Sequence, residues 1–411
     1  MNVEDAEIAV IGAGPSGLIA AHEASRKGVK VIVLEEHEEI GLPCHCAGLL
    51  SISGLKRIGV PCSGVYVLNM IRGARFFSPS NISLSVEWKE PIACVVDRHI
   101  FDLFLAEKAC KSGSLIKLGL RVDWVKRDGD KWLLGTGGRG RVRARLLIDA
   151  EGAAPKIPRM LGIRTHDTKK LLKGVQIDLR APDLNPDHIE VYLGRKIAPG
   201  FFAWVIPLNE EVARVGLACN ASDVRGRLLK FIKRRFSISP QDHSRFLRYY
   251  AGLIVACGPI NRSYGDALLI VGDSAGHTKP ISGGGVIFGG IGAKIAGKVA
   301  SKAIIGSKIG GEFLKTYERE WRSIVGKEIK MALLIRKILN NLSDKDLDKI
   351  FSIAIKEGVS EDIIAEETDI DYQATALIKA LKWKTLMFLP AIFRALFASI
   401  IGKQYNKYIN E

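Results

Sequence analysis

Residues 7–36 read EIAVIGAGPSGLIAAHEASRKGVKVIVLEE, and the order of residue types in that stretch decides the fold. Ile8 to Ile11 is a short apolar run of the kind a buried strand needs. It runs into Gly12-Ala13-Gly14-Pro15-Ser16-Gly17. A helix-like stretch follows from Leu18 to Arg26, and Gly28 ends it. A second apolar run, Val29 to Leu34, closes on Glu35, 18 residues beyond Gly17. The unit is strand, helix, strand, with an acid at the end. Gly12 allows the tight turn, Gly14 lets the backbone approach a pyrophosphate, and Gly17 lets helix and strand pack closely. The helix start then offers free N–H groups and a positive dipole end to the pyrophosphate. Glu35 is placed to accept hydrogen bonds from a ribose. A glycine turn alone is common; the strands, helix and terminal acid around this one specify a dinucleotide site. The motif serves FAD and NAD equally.

Outward from that unit, 411 residues leave room for two or three domains with large cores. Lys plus Arg number 60 against 44 Asp plus Glu, a net charge of +16. Such an excess favours an anionic partner, acidic lipid headgroups or a phosphorylated substrate; the plain alternative is a basic, soluble surface. No RNA-binding signature accompanies the charge, so no nucleic-acid partner is expected. Seven cysteines, an odd number, without secretory features indicate a reducing compartment. The start MNVEDAEIAVIG is acidic and enters a strand directly, unlike a signal peptide. No 20-residue uncharged span suits a transmembrane helix. A cytoplasmic protein is expected.

After Glu35, the stretch HEEIGLPCHCAGLL (37–50) reads as a loop. Cys44-His45-Cys46 has no second Cys or His pair at zinc spacing, so no metal is expected. A cysteine beside Ala47-Gly48 brings a small polarizable side chain and a close backbone to a flat ligand, unless both thiols are simply small buried hydrophobes. Residues 63–94 alternate, as in Ser83 to Trp88, and read as antiparallel strands. Asp97 and Arg98 then precede a helix with Ile100, Phe101, Phe104, Leu105 and Ala109 on one face. A cation opposes the dipole at a helix start, so Arg98 is expected either to meet an anion or to be solvated.

Residues 114–134 read as two strands. A further strand, Arg145 to Ile148, ends in Asp149-Ala150-Glu151-Gly152, and a helix with Pro158 near its start follows. Residues 170–257 read as mostly strand, interrupted at Leu228–Phe236 and near Phe246–Tyr250. The strand Ala267–Val271 leads to Gly272-Asp273, the loop SAGHTKPISGGG and a Gly/Ala-rich helix from Val286 to Ile305. Asp273 can hold a polyol hydroxyl or cap the turn that follows it. Residues 312–382 read as helices broken at Gly326 and Gly358. The stretch 383–408 is apolar around Pro390 and Arg394: an interfacial helix, a wall over an apolar tunnel, or a helix packed on the core.

Together these blocks resemble the FAD-dependent geranylgeranyl reductase family, within the larger group that includes p-hydroxybenzoate hydroxylase. The resemblance covers about residues 5–305. It rests on GAGPSG with Glu35, on Asp97 to Asp102, on Pro43 to Leu49 as a cysteine loop beside the flavin, on Phe202-Ala203-Trp204-Val205-Ile206-Pro207 with Gly216, and on VGDSAGHTKPISGGG. There are departures: Asp149-Ala-Glu-Gly replaces an Asp-Gly order, His277-Thr278-Lys279 stands where small residues are usual, and two cysteines crowd the loop.

The resemblance implies an α/β (α+β) architecture. A Rossmann-like FAD-binding domain would comprise 1–62, 95–165 and 258–305. An inserted antiparallel β-sheet substrate domain would comprise 63–94 and 166–257, with a helical C-terminal region from 306 to 411. FAD would be held by Gly12, Ala13, Gly14, Pro15, Ser16, Gly17, Glu35, Cys46, Ala47, Leu49, Arg98, Val122, Asp273, Gly284, Gly285 and Val286. Phe202, Trp204 and Pro207 would face the substrate, an isoprenoid glycerophospholipid of archaeal membranes. An electron donor, NAD(P)H, ferredoxin or another reductant, would recharge the flavin, and the protein would sit peripherally on the cytoplasmic membrane face. An isolated alkene is electron-rich, so hydride addition needs a proton donor and a water-poor pocket. Cys46 is the candidate for shaping the site or donating the proton, and a buried thiol that is hard to ionise suits donation more than nucleophilic attack. Cys44 is expected to matter less, as if it pointed to the other side of the loop. The same fold also suits a monooxygenase or halogenase, and a non-catalytic flavoprotein or lipid-binding module is the third reading.

Overall fold

A computed structural model describes residues 3–365 and 369–381. The apolar segment 383–401 lies outside the described residues.

The first strand, Val3–Ile11, sits at the centre of a mixed sheet. It pairs in parallel with Val31–Leu34 on one side and Arg141–Asp149 on the other. Leu115–Lys117 and Leu268–Ile270 extend the parallel set on either flank. The segments Ile8–Ile11, Val31–Leu34, Leu146–Ile148 and Leu268–Ile270 are buried on both faces, which is why they read as unbroken apolar runs. The helices Pro15–Ser25, Arg98–Lys111 and Val286–Ile305 pack on one face. On the other, Val125, Trp132 and Leu134 of an antiparallel ladder pack with Ile11, Leu34 and Leu147.

A second, seven-stranded sheet runs in the order Phe246–Ile254, Leu172–Arg180, Val212–Cys219, Phe202–Pro207, His188–Leu193, Gly73–Phe77, Ser83–Glu87. It is antiparallel except where His188–Leu193 meets Gly73–Phe77 in parallel. One face is closed by the helix Val224–Phe236, whose Leu228, Phe231 and Ile232 pack on Leu179, Val205 and Val215. Phe246–Tyr250 does not interrupt the sheet but begins its edge strand. Leu247, Arg248 and Tyr249 are all exposed there, so the half-buried alternation that betrays a strand is missing.

Residues 63–94 divide between two sheets. Gly73–Phe77 and Ser83–Glu87 join the seven-stranded sheet, while Val67–Ile71 and Ala93–Val96 pair in a three-stranded sheet with Leu49–Ser51. Further on, Gly326 does not break its helix: Gly311–Trp321 continues through a π-helical turn, Arg322–Gly326, into Lys327–Asn341. Gly358 does separate Asp344–Lys356 from Val359–Ala365, with φ +62. These helices lie over the second face of the seven-stranded sheet: Leu342 and Leu347 meet Leu193, and Ala354 and Val359 meet Leu84.

Candidate active site

The turn after the first strand forms a cradle. Gly12 has φ +98, and a Cβ there would stand 2.5 Å from the Ala150 carbonyl oxygen, so only glycine fits between the two strand ends. Gly17 packs against the Gly12 carbonyl. Gly14 is the N-cap of Pro15–Ser25 and offers no side-chain cap, which leaves N–H groups of the first turn free for an anion. Glu35 ends the second strand. Its Oε2 accepts from the Ala13 N–H at 2.7 Å and its Oε1 from the His37 N–H at 3.0 Å. The carboxylate is thereby fixed at the cradle's rim with lone pairs to spare.

Gly284, Gly285 and Val286 lie at the start of the third covering helix. Asp273 stands over this helix start, its Oδ1 only 2.4 Å from where a Cβ on Gly285 would begin. It caps nothing, and among the described residues it has no hydrogen-bond partner. Burial pushes its carboxyl up to about 6, with the nearby Arg98 guanidinium drawing it back down. A group that accepts from polyol hydroxyls fits this place. Arg98 does meet an anion, Asp102 one turn along its own helix, in a two-pronged ion pair at 3.0 and 2.8 Å. Asp97 caps that helix by accepting from His99 and Ile100.

The cysteine loop is pinned to the seven-stranded sheet by residues the motifs did not announce. Gln176 Nε2 donates to the Cys46 carbonyl at 2.9 Å. Arg214 Nη1 donates to the Ala47 carbonyl at 3.0 Å and is itself gripped by Asp178. Cys46 Sγ accepts from the Gly48 N–H at 3.4 Å. Cys44 lines the same cavity as Cys46, and its thiol points at the Cys46 carbonyl, 3.9 Å away. Residues two apart in extended chain share a side, so the expectation that Cys44 faces away fails on geometry. Burial raises the Cys44 pKa. All seven cysteines are free thiols, and no His/Cys/Asp/Glu cluster among the described residues has metal-site geometry.

From Gln176 a row of directly paired residues crosses the sheet: Gln176, Gly216, Trp204, Val191, Phe76, Leu84. At about 4.8 Å per strand the row spans about 24 Å. Gly216 has no side chain, and the Trp204 indole lies over it. Phe202, Trp204 and Ile206 alternate into the cavity, whereas Pro207 has the opposite parity and is not among its lining residues. Above the row, side chains of the C-terminal helices such as Leu339, Leu347 and Ile350 form a roof. The cavity, about 1590 Å³, is continuous from Gly12–Ser16 and Glu35 through Ala47, Leu49, Val122 and Asp273 to this trench. Ordinary ligand pockets hold about 300–1,000 Å³, so this one has room for two ligands.

A strap from the C-terminal region closes against the glycine loop. Asp371, fully buried, takes Lys279 Nζ at 2.8 Å and the Ser51 hydroxyl at 2.5 Å. Arg57 pairs with Asp369, and Glu328 accepts from the Ala374 and Thr375 N–H groups. Lys279 is one of the residues that departs from the family's usual small side chains, and its partner lies 92 residues away.

A family model described as an FAD binding domain matches residues 5–237. The digeranylgeranylglycerophospholipid reductase 2 of Methanothermobacter thermautotrophicus is 32% identical, over 84% of this chain and 90% of its own. The chain belongs to this family of FAD-binding reductases. FAD is the cofactor of this family member, and the uncapped helix start, Glu35 and the unpartnered Asp273 fit it. A geranylgeranyl bacteriochlorophyll reductase-like protein from Thermoplasma acidophilum has the same fold, with TM-score 0.84 at 24% identity over 96% of this chain and 100% of that one. A variant of the halogenase PltM in complex with FAD shares the fold more distantly, with TM-score 0.68 at 15% identity over 96% and 92% of the two chains.

Proposed function

We propose that this family member is a reductase that saturates C=C bonds in the geranylgeranyl chains of glycerophospholipids. One observation carries the reading: the flavin cradle opens directly onto an apolar trench of about 24 Å that runs across six paired strands from Gln176 to Leu84. Such a trench suits a long hydrocarbon chain and keeps water from the reacting carbons.

Bound and reduced, FAD supplies the hydride. The chain's own residues supply the rest. Gln176 and Arg214 fix the cysteine loop by its Cys46 and Ala47 carbonyls, which sets Cys46 among the cavity's lining residues at the head of the row. Cys46 Sγ would hold the proton that one alkene carbon needs, and solvent would reprotonate the sulfur. Trp204 and Phe202 pack the chain against the floor; their rings stand 6.0 Å apart, edge to face. The halogenase reading gains nothing from the cavity's lysine beside the glycine loop, because Lys279 is tied to Asp371.

The reading also takes in a membrane surface, supported by the charge of +16 and the apolar stretch near Arg394. No helix among the described residues is long and apolar enough to cross a bilayer. The deciding experiment reduces the FAD-loaded protein anaerobically and adds geranylgeranylated glycerophospholipid. Mass spectrometry of the extracted lipid should gain two mass units per bond saturated. Flavin that stays reduced beside unchanged lipid would sink the reading. Deleting 383–411 should lower vesicle co-sedimentation at fixed salt while flavin absorbance persists.

A further inference from the structure

The buried and part-buried cations around the cavity differ in one respect. Arg98 is paired with Asp102, Arg214 with Asp178, and Lys279 with Asp371. Arg336 has no carboxylate within ion-pair distance among the described residues. It sits in ALLIRKIL on the helix Lys327–Asn341, one turn beyond buried Ala332 and two beyond buried Ile329, and is only 7% exposed. Its guanidinium lies 4.2 Å over the Phe201 ring, and one Nη2 donates to the Gly200 carbonyl. A guanidinium carries five N–H donors and no acceptor, so one carbonyl and one ring face leave most of them open to the cavity that Arg336 lines. Burial lowers its pKa to about 10, which leaves it charged at neutral pH. A buried charge without a counter-charge is costly, and an anion brought by a ligand would offset that cost.

The position gives the ligand a direction. Asn340 lies one helical turn beyond Arg336, about 5.4 Å along the axis. Its carbonyl accepts from the exposed Arg195 at 3.4 Å, so a second cation stands at the solvent side. On the inner side, the Phe201 ring reaches to 3.2 Å from where a Cβ on Gly283 would be, at the glycine loop of the flavin site.

We propose that Arg336 is an anion subsite that receives the phosphate of the lipid substrate, an assignment that rests on the reductase reading above. The planar fork of a guanidinium matches two phosphate oxygens. With the phosphate held at Arg336, the isoprenoid chains extend along the trench, and the distance from head to Cys46 sets which double bond is presented.

The test is binding to the full-length, FAD-loaded protein, followed by calorimetry. Three probes are used: a saturated di-isoprenoid glycerol phosphate, the same lipid without its phosphate, and inorganic phosphate. Wild type should prefer the phosphorylated lipid by about ten- to a hundredfold, the range for a charged hydrogen-bond pair. R336Q should abolish that preference and leave affinity for the neutral lipid unchanged, and R336K should keep part of it. Inorganic phosphate should compete with the phosphorylated lipid in wild type and not in R336Q. Equal binding of both lipids by wild type, or equal weakening of both in R336Q, would overturn the subsite. So would inorganic phosphate that binds wild type without competing, which would make this a site for a free anion. Should R336Q fail to retain FAD, R336M keeps the stem and carries the same comparison; loss of FAD in both would make Arg336 a support of the flavin site and overturn the proposal. Saturated lipids need no turnover, so a failed reduction assay would count against the reductase reading and not against these results.

Discussion

The flavin cradle and the apolar trench share one cavity but are assembled differently. The cradle comes from short loops at the ends of neighbouring parallel strands: Gly12–Ser16 after the first, Glu35 after the second, Asp273 just past Leu268–Ile270. Its polar groups act over one or two bonds' reach, as when Glu35 takes the Ala13 N–H. The trench takes its floor from a separate sheet and its roof from helices beyond residue 330, and its contacts are diffuse and apolar. The difference teaches where each part is vulnerable. The cradle should fail at single residues, whereas the trench should tolerate most single changes and fail where a polar group is set into it.

Cys46 stands where the two meet, and its replacement should have the largest effect. Cys46→Ala should keep FAD and lose alkene reduction by about 10²–10⁴-fold, the usual contribution of a general acid, in single turnovers with pre-reduced flavin. Cys46→Ser should retain part. Cys44→Ala should cost less than about tenfold, because its thiol bonds to the Cys46 carbonyl and steadies the loop; general acid catalysis sets the scale of that comparison. A Cys46→Ala protein that loses its flavin would move the loop wholly into the cradle and break the division drawn here.

Asp371 links the roof to the cradle. Asp371→Asn leaves the part-buried Lys279 without its counter-charge, and the cost falls toward the lower end of the about 3–5 kcal/mol for losing one partner of a buried pair. Denaturant titration of the FAD-loaded protein should show a loss of that order. A change below about 1 kcal/mol, the level of a surface pair, would mean that the roof is held by its apolar contacts alone.

Within the cradle, Glu35→Ala should weaken FAD by about 1–3 kcal/mol, as for a charged hydrogen-bond partner removed. Titration of the apoprotein by flavin fluorescence reads this directly. An unchanged affinity would show that Glu35 serves only to hold Ala13.

The smallest effect is at Asp273, and it depends on pH. An unfolded aspartate ionises near 4, whereas burial moves the folded one up to about 6. The folded state therefore holds an extra proton between those values, and stability falls as pH rises through that window. Asp273→Asn should raise the stability of flavin-free protein by about 1–2 kcal/mol at pH 7 and by nothing below pH 4, a discounted value because the carboxyl faces an open cavity. The same variant should bind FAD less tightly. Equal thermal melts of both proteins at pH 7 would show that burial of the Asp273 carboxylate costs nothing.

The amino-acid sequence by itself determined the dinucleotide unit and the helix Val286–Ile305 to the residue, and it singled out Glu35, Asp273 and the glycines that line one end of the cavity, because these rest on backbone conformation and on short-range contacts. It also announced the cysteine loop. Tertiary structure alone decided what that loop rests on. Gln176 and Arg214 reach Cys46 and Ala47 only because the sheet's registry brings them there, across 130 and 167 residues. The same holds for Asp371 and Lys279. Arg336 left a trace, an arginine on the apolar stripe of Ile329 and Ala332, but a stripe does not say whether a carboxylate waits opposite. Which charges are paired is settled by the packing of distant elements, since an ion pair needs two side chains within a few ångströms and the chain order sets no such distance. At Arg336 the packing supplied a ring and a carbonyl and left the anion to a ligand.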